Sequence, residues 1–250
     1  NYIYHALGVP HGVPNDPMFA GSWNFKNTGQ QGSALQEGTP GADIHVTQLW
    51  AEGITGSKKV IVGVVDTGVE VTHPDLHENI FVNTKEIPGN RIDDDHNGFV
   101  DDVNGWDFVN HTGKIVDENS HGTHCAGVIG ARGDNKIGTA GVNWEVLILP
   151  LKFLDGKGEG DTEAALYAFE YGRKMGVKIF SNSWGGDPYS QALRDVIHAG
   201  NKYGEVYVFA AGNDTQDIDQ EAMYPASYEE DNLIAVAATD NEDHLASFSN

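Results

Sequence analysis

Two short segments of the sequence carry residues that could handle a proton together. Residues 64–68 read VVDTG, which places Asp66 directly after an apolar run and before a turn glycine. Residues 121–127 read HGTHCAG, which places His121 at the start of a predicted helix, among small residues. Taken singly, such an aspartate most often caps a turn, and such a histidine is most often structural. Taken together, a carboxylate and an imidazole form a pair suited to general acid–base catalysis.

Two later segments add further polar groups to this pattern. Residues 183–186 read SWGG and residues 210–213 read AAGN, and each follows a run typical of a strand. An asparagine in a turn is common, but Asn213 follows its strand as Asp66 follows its own. We therefore expect the side-chain amide of Asn213 to point into the same cleft as Asp66 and His121.

The elements that must position these groups alternate along the chain. Short β-branched runs indicate buried parallel strands, and between them lie two segments with helix caps and stops. This alternation predicts an α/β fold with a mostly parallel sheet covered by helices on both faces, and function at the carboxyl ends of the strands. The strands are predicted at Lys59–Val65, Val146–Phe153, Val177–Asn182, Glu205–Ala210 and Leu233–Ala238, and the helices at Asp161–Met175 and Ser190–Tyr203.

Two regions depart from the alternation. Residues 1–55 are rich in Gly, Pro, Asn and Gln, and they predict an irregular arm with short helical pieces, packed on a domain of residues 56–250. Residues from about 83 to 118 form a long acidic insertion within that domain. A loop of this length inside a compact domain needs its own source of order.

In this order and on these elements, the four segments resemble the subtilisin-like serine proteases, the subtilase family. The resemblance runs from about Asn15 to the last residue, and Asn15–Pro17, Trp23 and Asn27–Gly29 are similar to the N-terminal arm of bacterial secreted members. It implies a three-layer subtilisin-like fold, incomplete at its C-terminal end. It also implies a calcium-stabilised endopeptidase for polypeptide substrates, made as a zymogen whose propeptide is removed, and secreted.

The resemblance implies roles for individual residues. Asp66 would orient the imidazole of His121, the general base that takes the proton from a serine hydroxyl. Asn213 would donate a hydrogen bond to the developing oxyanion. A pocket segment and an edge strand would bind the extended substrate. Their residues would be Ser183, Trp184 and Gly185 in the pocket, and Gly158, Glu159 and Gly160 in the edge strand.

The family's serine motif, Gly-Thr-Ser-Met-Ala, does not occur in the 250 residues. In the family, the segment that ends here at Asn250 precedes that serine. We therefore expect the serine on a C-terminal segment separated by nicking or truncation, so that this chain alone lacks the nucleophile. The alternative is a non-catalytic protease-like module that binds peptides or proteins. Retention of Asp66, His121 and Asn213 favours the protease. A zinc protease is disfavoured because His121 and His124 lack the ligand spacing and the adjacent glutamate.

Residues 92–102, with the sequence IDDDHNGFVDD, predict a calcium loop. Counting from Asp93, oxygen side chains occupy alternate positions before Gly98, as in the first half of an EF-hand. Asn104 stands where an EF-hand has its bidentate glutamate, so the loop is not a true EF-hand. A solvated acidic turn is the alternative, but this many adjacent carboxylates repel one another without a cation. The predicted ligands are Asp93, Asp95, Asn97, Phe99, Asp101 and Asp102.

The resemblance implies a second calcium site and a place for the cysteine. The site would consist of Asp75, Asn135, Ile137 and Thr139, and both sites would order loops rather than take part in bond cleavage. Cys125 would face the core behind His121. It is not the nucleophile if His121 is the base, because residues four apart on a helix meet by packing. The neighbouring His124 is expected to be structural.

The composition excludes several partners. Lys+Arg 15 against Asp+Glu 37 gives a net charge of −22, so nucleic acid and anionic membrane surfaces would repel the chain. No apolar run approaches the ~20 residues that span a bilayer. The single cysteine permits no intramolecular disulfide. The first residues resemble neither a signal peptide nor an initiator start, so we expect a processed or trimmed N-terminus. The extracellular location is implied by the resemblance alone.

Overall fold

A six-stranded sheet forms the centre of the computed structural model, which describes residues 12–32, 36–186 and 188–250. The strands are β1 (Gly56–Asp66), β2 (Trp106–Asp107), β3 (Glu145–Lys152), β4 (Ile179–Asn182), β5 (Val206–Ala210) and β6 (Leu233–Val236). Their order is β2-β3-β1-β4-β5-β6, and every pairing between neighbours is parallel. The carboxyl ends of all the strands therefore meet along one edge of the sheet.

The α-helices of the described residues follow the strand–helix alternation. They are α1 (Val46–Ala51), α2 (His121–Gly130), α3 (Thr162–Lys174) and α4 (Gln191–Gly200), with 3₁₀ turns at Phe19–Gly21, His77–Asn79 and Asn201–Tyr203. The predicted caps begin the two longer C-terminal helices. Asp161 accepts a hydrogen bond from the N–H of Ala164 at 2.8 Å, and Ser190 accepts one from Leu193 at 3.3 Å.

The helices cover the sheet on both faces. On one face, α3 and α4 pack over the apolar side chains of β3, β4 and β5, among them Leu151, Phe180 and Phe209. On the other face, α2 packs over β1 and β3, where Val64 and Ile148 are fully buried. Each such side chain stabilises the fold by about 1.5–3 kcal/mol. The predicted three-layer α/β architecture is confirmed.

The face that α2 covers is open over the last three strands. Phe209 of β5 lies in the core on the α3 side, so the alternate residue Val208 and its register partner Ile234 point to the α2 side. Ile234 is 51% exposed and Val236 is 49% exposed. Parallel strands are usually covered on both faces, so this apolar surface of β4–β6 is unusual for such a sheet. We call it the open face.

The described part of the N-terminal arm packs through its own aromatic cluster. Trp50 of α1 is fully buried, and its ring lies 5.5 Å from Phe25 and 5.1 Å from Trp144, centroid to centroid. Residues 1–11 of the predicted arm lie outside the described residues. None of the helices within 12–32, 36–186 and 188–250 has both the length and the apolar character to span a bilayer.

Element boundaries differ from the predictions in a few places. The run predicted as one helix, Ser190–Tyr203, is α-helical only to Gly200 and finishes as a 3₁₀ turn. The acidic insertion contains the short strand β2, which the sequence pattern does not indicate. Its two residues pair with the end of β3 and so extend the sheet at the carboxyl ends of the strands.

Candidate active site

Asp66 and His121 are in direct contact at the carboxyl edge of the sheet. Asp66 is the last residue of β1, and His121 is the first residue of α2. Nδ1 of His121 lies 2.7 Å from Oδ1 of Asp66. The carboxylate side chain is 1% exposed, whereas the imidazole is 47% exposed. A buried acceptor thus fixes one nitrogen of an open ring, as a proton-transferring histidine requires. We call this pair the dyad.

A hydrogen-bonded turn holds the dyad in place. The hydroxyl oxygen of Thr67 accepts a bond from the N–H of Gly122 at 3.0 Å, and the hydroxyl donates to Asp117 at 2.8 Å. Asp117 also accepts bonds from the backbone N–H groups of Ser120 and Thr123. Burial raises the pKa of Asp117, but the hydrogen bonds from Thr123, Thr67 and Ser120 together hold that pKa below its ordinary value. An ionised carboxylate therefore fastens the start of α2 to the end of β1.

Two glycines permit this close approach. A Cβ atom at Gly122 would lie 2.1 Å from the carbonyl oxygen of Gly68 and 3.0 Å from Cβ of Asp66. Gly68 itself has φ +111°, a conformation that side chains rarely adopt. The glycines of the two motifs are therefore needed for Asp66 to reach His121.

A buried lysine supports the same turn from the sheet. Lys152, the last residue of β3, is the register partner of Asp66, and its side chain is fully buried. Its Nζ donates to the carbonyl oxygen of Thr67 at 2.6 Å and to Oε2 of Glu118 at 2.7 Å. The only signal for this role in the sequence is a lysine at the end of an apolar strand.

Cys125 lies between His121 and the pocket segment. Its Sγ is 4.0 Å from Nδ1 of His121 and 3.5 Å from the hydroxyl oxygen of Ser183. The side chain is half-buried and packs in part on the apolar cluster beneath α2. Burial raises the pKa of its thiol, which favours packing over nucleophilic attack. The sulfur thus contacts the site as well as the core, while His124 lies exposed on α2.

Asn213 and Ser183 line one small cavity at the carboxyl edge. This cavity, of about 310 Å³, lies beside the ends of β4, β5 and β6 and is also lined by Asn182. The amide nitrogen of Asn182 donates to two backbone carbonyls. Its Oδ1 is buried and has no hydrogen-bond partner among the described residues. An unused acceptor therefore lies next to the predicted oxyanion donor.

Five of the six predicted substrate-binding residues line a common cleft, whereas Ser183 lines the cavity beside Asn213 instead. A cavity of about 300 Å³ is bounded by Gly158, Glu159 and Gly160 on one loop and by Trp184 and Gly185 on another. Aromatic packing fixes the tryptophan, whose ring centroid lies 4.7 Å from that of a neighbouring buried phenylalanine. We call this cavity the substrate cleft.

The loop 158–160 is not the edge strand that the resemblance implies. Glu159 uses both backbone groups within its loop, because its N–H donates to the Asp155 carboxylate at 3.0 Å and its carbonyl accepts from the Asp155 N–H at 2.9 Å. Gly158 has φ +81°, which a regular strand does not allow. In the loop 158–160, the N–H of Gly158 donates to the carbonyl oxygen of Asp155 at 3.0 Å, and Gly160 makes no backbone–backbone hydrogen bond within the described chain. Asp187, which follows the pocket segment two residues after Gly185, lies outside the described residues.

The acidic insertion brings part of the predicted calcium set together. Asp93 and Asp95 lie with Glu86, which the sequence pattern does not indicate, and one carboxylate oxygen of each is within 4.8 Å of the other two. Asp93 also accepts the N–H groups of Asn97 and Gly98 at 3.0 and 2.8 Å. Three convergent carboxylates are the hard oxygen donors that calcium prefers, so this donor set fits the ion.

The other predicted ligands of the loop have protein partners. Asp101 turns away and accepts two backbone N–H groups at 2.7 and 3.0 Å. Asp102 is fully buried and accepts bonds from Asn97 at 2.9 Å and from the Tyr171 hydroxyl at 2.7 Å. Oδ1 of Asn97 accepts the N–H of Phe99 at 2.8 Å. Calcium binding by these residues stays a prediction.

The residues of the second predicted calcium site also lie together. Asp75 accepts bonds from the Asn135 side chain at 2.7 Å and from the N–H of Thr139 at 3.0 Å, while Asn135 accepts the N–H of Ile137 at 2.7 Å. Asp16 of the arm accepts bonds from the same loop. Burial and, to a smaller extent, the charge of Asp75 raise the pKa of Asp16. Two neighbouring carboxylates with an amide oxygen are a donor set that fits calcium.

The fold and this edge are those of a subtilisin-like α/β protein, and comparisons with known proteins agree. A family profile described as "Subtilase family" matches residues 57–250. Thermitase of Thermoactinomyces vulgaris is 34% identical over 239 residues, which cover 95% of this chain and 69% of thermitase. Subtilisin-like protease 1 of Plasmodium berghei is 34% identical over 188 residues, 70% of this chain and 31% of that protein.

A third relative is the major intracellular serine protease of Bacillus subtilis, 36% identical over 210 residues, which cover 83% of this chain and 59% of that protein. The chain belongs to the subtilase family. It spans between 31% and 69% of the length of these three relatives.

Proposed function

We propose that the protein is a serine endopeptidase that hydrolyses peptide bonds of polypeptide substrates through an Asp/His/Ser triad. The observation that carries this proposal is the 2.7 Å hydrogen bond between the buried carboxylate of Asp66 and Nδ1 of the exposed His121. The names of two relatives, a subtilisin-like protease and an intracellular serine protease, support it.

His121 acts as the general base in this proposal. With Nδ1–H donating a hydrogen bond to Asp66, Nε2 keeps a lone pair that takes the proton of a serine hydroxyl as its oxygen attacks the peptide carbonyl. The imidazolium then passes that proton to the leaving amine, and water releases the acyl group by the same route. Asp66 stays ionised throughout, and Asn213 donates a hydrogen bond to the developing oxyanion.

The serine belongs to a further segment of the protein, continuous with this chain or separated from it by a nick. The open face supports this proposal, because Ile234 and Val236 present apolar surface to solvent next to the dyad's edge of the sheet. The cavity beside Asn182 adjoins the same strands and offers an unpaired Oδ1. A segment that packs here buries the apolar surface and pairs that oxygen.

We further propose two calcium ions, a removed propeptide and secretion, of which the last two rest on the family. One relative is named an intracellular protease, so location differs within the family. The ions would neutralise clustered carboxylates and would not take part in bond cleavage. One would be held by Glu86, Asp93 and Asp95, and the other by Asp16, Asp75 and Asn135 with the carbonyls of Ile137 and Thr139.

Labelling with a serine-directed phosphonate tests the proposed function. The protein purified from its source is labelled and analysed by intact mass spectrometry, denatured and without reduction. We expect the label on a serine outside residues 1–250, in a longer chain or in a companion polypeptide, and no label on a His121→Ala variant. If no serine is labelled while peptides still bind, the protein is a non-catalytic binding module.

Cys125→Ala is expected to abolish inhibition of the full-length enzyme by mercurials. A mercurial on Sγ would occupy the space next to Nδ1 of His121, 4.0 Å away, and push the imidazole from its place. The alanine variant has no thiol to which the mercurial can bind, and its dyad is unchanged. Residual activity is measured against mercurial concentration for both proteins. Equal sensitivity would show that the mercurial acts at another site.

Substrates with Arg or Lys near the scissile bond are expected to be cut faster than apolar ones. Glu159 and Asp161 both line the substrate cleft, and both are exposed. Because exposed ion pairs contribute about 0.2–1 kcal/mol, Glu159→Gln should reduce the preference by about 1.4-fold to fivefold. The ratio of kcat/KM for matched basic and apolar peptides measures it. Glu52→Gln, remote from the cleft, serves as control, and equal rates for both peptides contradict the prediction.

A further inference from the structure

A larger cavity lies next to the substrate cleft and has no part in the proposed mechanism. Its volume is about 800 Å³, and it is bounded by the acidic insertion, the loop after β3 and the first turns of α3. We call it the lateral cavity. Phe153, Glu159, Gly160 and Asp161 line both cavities, so one loop forms a wall common to the two.

The floor of the lateral cavity is aromatic and rigid. Trp106, Phe108 and Phe153 line it, and each is less than a tenth exposed. Phe99 packs edge-on against Trp106, with centroids 4.9 Å apart, and against a buried tyrosine of α3 at 4.7 Å. Tyr167 stands at the rim with about half of its surface exposed. A ligand can stack on half-buried Phe99 and on Tyr167, and the buried rings around Phe99 hold it in place.

The rim of the cavity is acidic. Asp155, Glu159, Asp161 and Glu163 line it, and the lining contains no lysine or arginine among the described residues. The carboxylates of Asp155 and Asp161 accept backbone N–H groups, which fix their positions. Glu159 and Glu163 are exposed. The cavity thus combines aromatic faces with four anionic groups.

This combination selects a planar cation. A guanidinium stacks on aromatic faces and pairs with carboxylates through its fork of N–H donors, which an ammonium cannot do as well. One of these rings already has a cation over it, because Nζ of Lys174 lies 5.9 Å from the centroid of Phe99. The volume accommodates more than one side chain of a peptide.

We propose that the lateral cavity is an exosite that binds an arginine-containing stretch of the polypeptide substrate, outside the residues around the scissile bond. Because the lateral cavity and the substrate cleft have a wall in common, a single substrate molecule can occupy both. The identity of the ligand as a substrate rests on the proposed function, but the binding of arginine does not require catalysis.

The test is a titration of the full-length protein with fluorescein-labelled pentaarginine, followed by anisotropy at low salt. The double variant Glu163→Gln/Tyr167→Ala changes two exposed residues that line only the lateral cavity. We expect it to raise the Kd about tenfold. Glu170→Gln is the matched control, since Glu170 is exposed on the same helix and does not line the cavity. Pentaglutamate should not compete, and circular dichroism verifies the fold of each variant.

The outcomes separate the exosite from the proposed function. A phosphonate on the active serine should leave the Kd for pentaarginine unchanged, and the double variant should raise KM only for long basic substrates. If the double variant binds as tightly as Glu170→Gln, the exosite is wrong whatever the enzyme does. If pentaarginine binds as expected but no serine can be labelled, the exosite stands and the proposed peptidase fails.

Discussion

Replacing Asp66 by asparagine is expected to lower kcat/KM of the full-length enzyme by about 10⁴-fold. Oδ1 of Asp66 accepts a hydrogen bond from Nδ1–H of His121 at 2.7 Å, which leaves Nε2 free to accept the proton of the serine. An asparagine of the same shape can offer its NH₂ group to Nδ1 instead. The ring then carries its hydrogen on Nε2, and the serine has no base.

The substitution tests chemistry rather than folding. The carbonyl of Asp66 accepts the N–H groups of Phe153 and Leu154 at 3.1 and 3.3 Å, and these bonds do not involve the side chain. Asp195→Asn is the matched control, because it removes the same charge from an exposed position of α4. We would measure kcat/KM, the thermal midpoint and the ¹⁵N shifts of His121, which report its tautomer. An Asp66→Asn enzyme with an unchanged midpoint and more than a tenth of the activity would contradict the triad.

The dyad could be predicted from the sequence because local rules are sufficient to place it. An apolar β-branched run ends at Asp66, and a helix begins at His121, so both fall at the carboxyl edge of a parallel sheet. The caps at Asp161 and Ser190 follow in the same way from short-range hydrogen bonding. In each case the information lies within a few residues of the group concerned.

The partners of these groups could not be predicted, because they come from distant parts of the chain. Lys152 reaches the carbonyl of Thr67 only because β3 lies beside β1, and strand order is not readable from alternation alone. Asp16 meets the loop around Asn135 only through the packing of the arm. Glu86 joins the acidic triplet through a fold of the insertion that has no periodic pattern.

One strand is missed by the sequence analysis and one local prediction fails, both for reasons of chain geometry. The strand β2 has two residues, too few for an alternation of apolar and polar side chains to appear. The loop 158–160 resembles an edge strand in the family, but here Asp155 accepts the N–H groups of both Lys157 and Glu159 and curls the loop. An aspartate that bonds to the backbone two residues on is a turn signal, and at this position it competes with extended structure.

Removal of calcium is expected to lower the thermal midpoint of the protein by about 5–10 °C. Glu86, Asp93 and Asp95 converge within 4.8 Å, so their mutual repulsion destabilises the folded loop unless a cation neutralises it. An ion at about 100 times its Kd stabilises the fold by about 2.7 kcal/mol. In a domain of this size each kcal/mol shifts the midpoint by about 2–4 °C. The midpoint is measured by circular dichroism in calcium and in EDTA.

Single variants assign the effect to one loop or the other. Asp93→Asn should remove most of the response from the triplet, and Asp75→Asn should remove the part due to the second site. Asp94→Asn is the matched control, because Asp94 lies in the same loop but its carboxylate accepts protein N–H groups at 3.0 and 2.8 Å and is not in the triplet. Because the ions lie in loops away from the dyad, kcat measured at a temperature below the thermal midpoint should be the same in EDTA as in calcium. Identical midpoints with and without calcium would leave both clusters as solvated acidic turns.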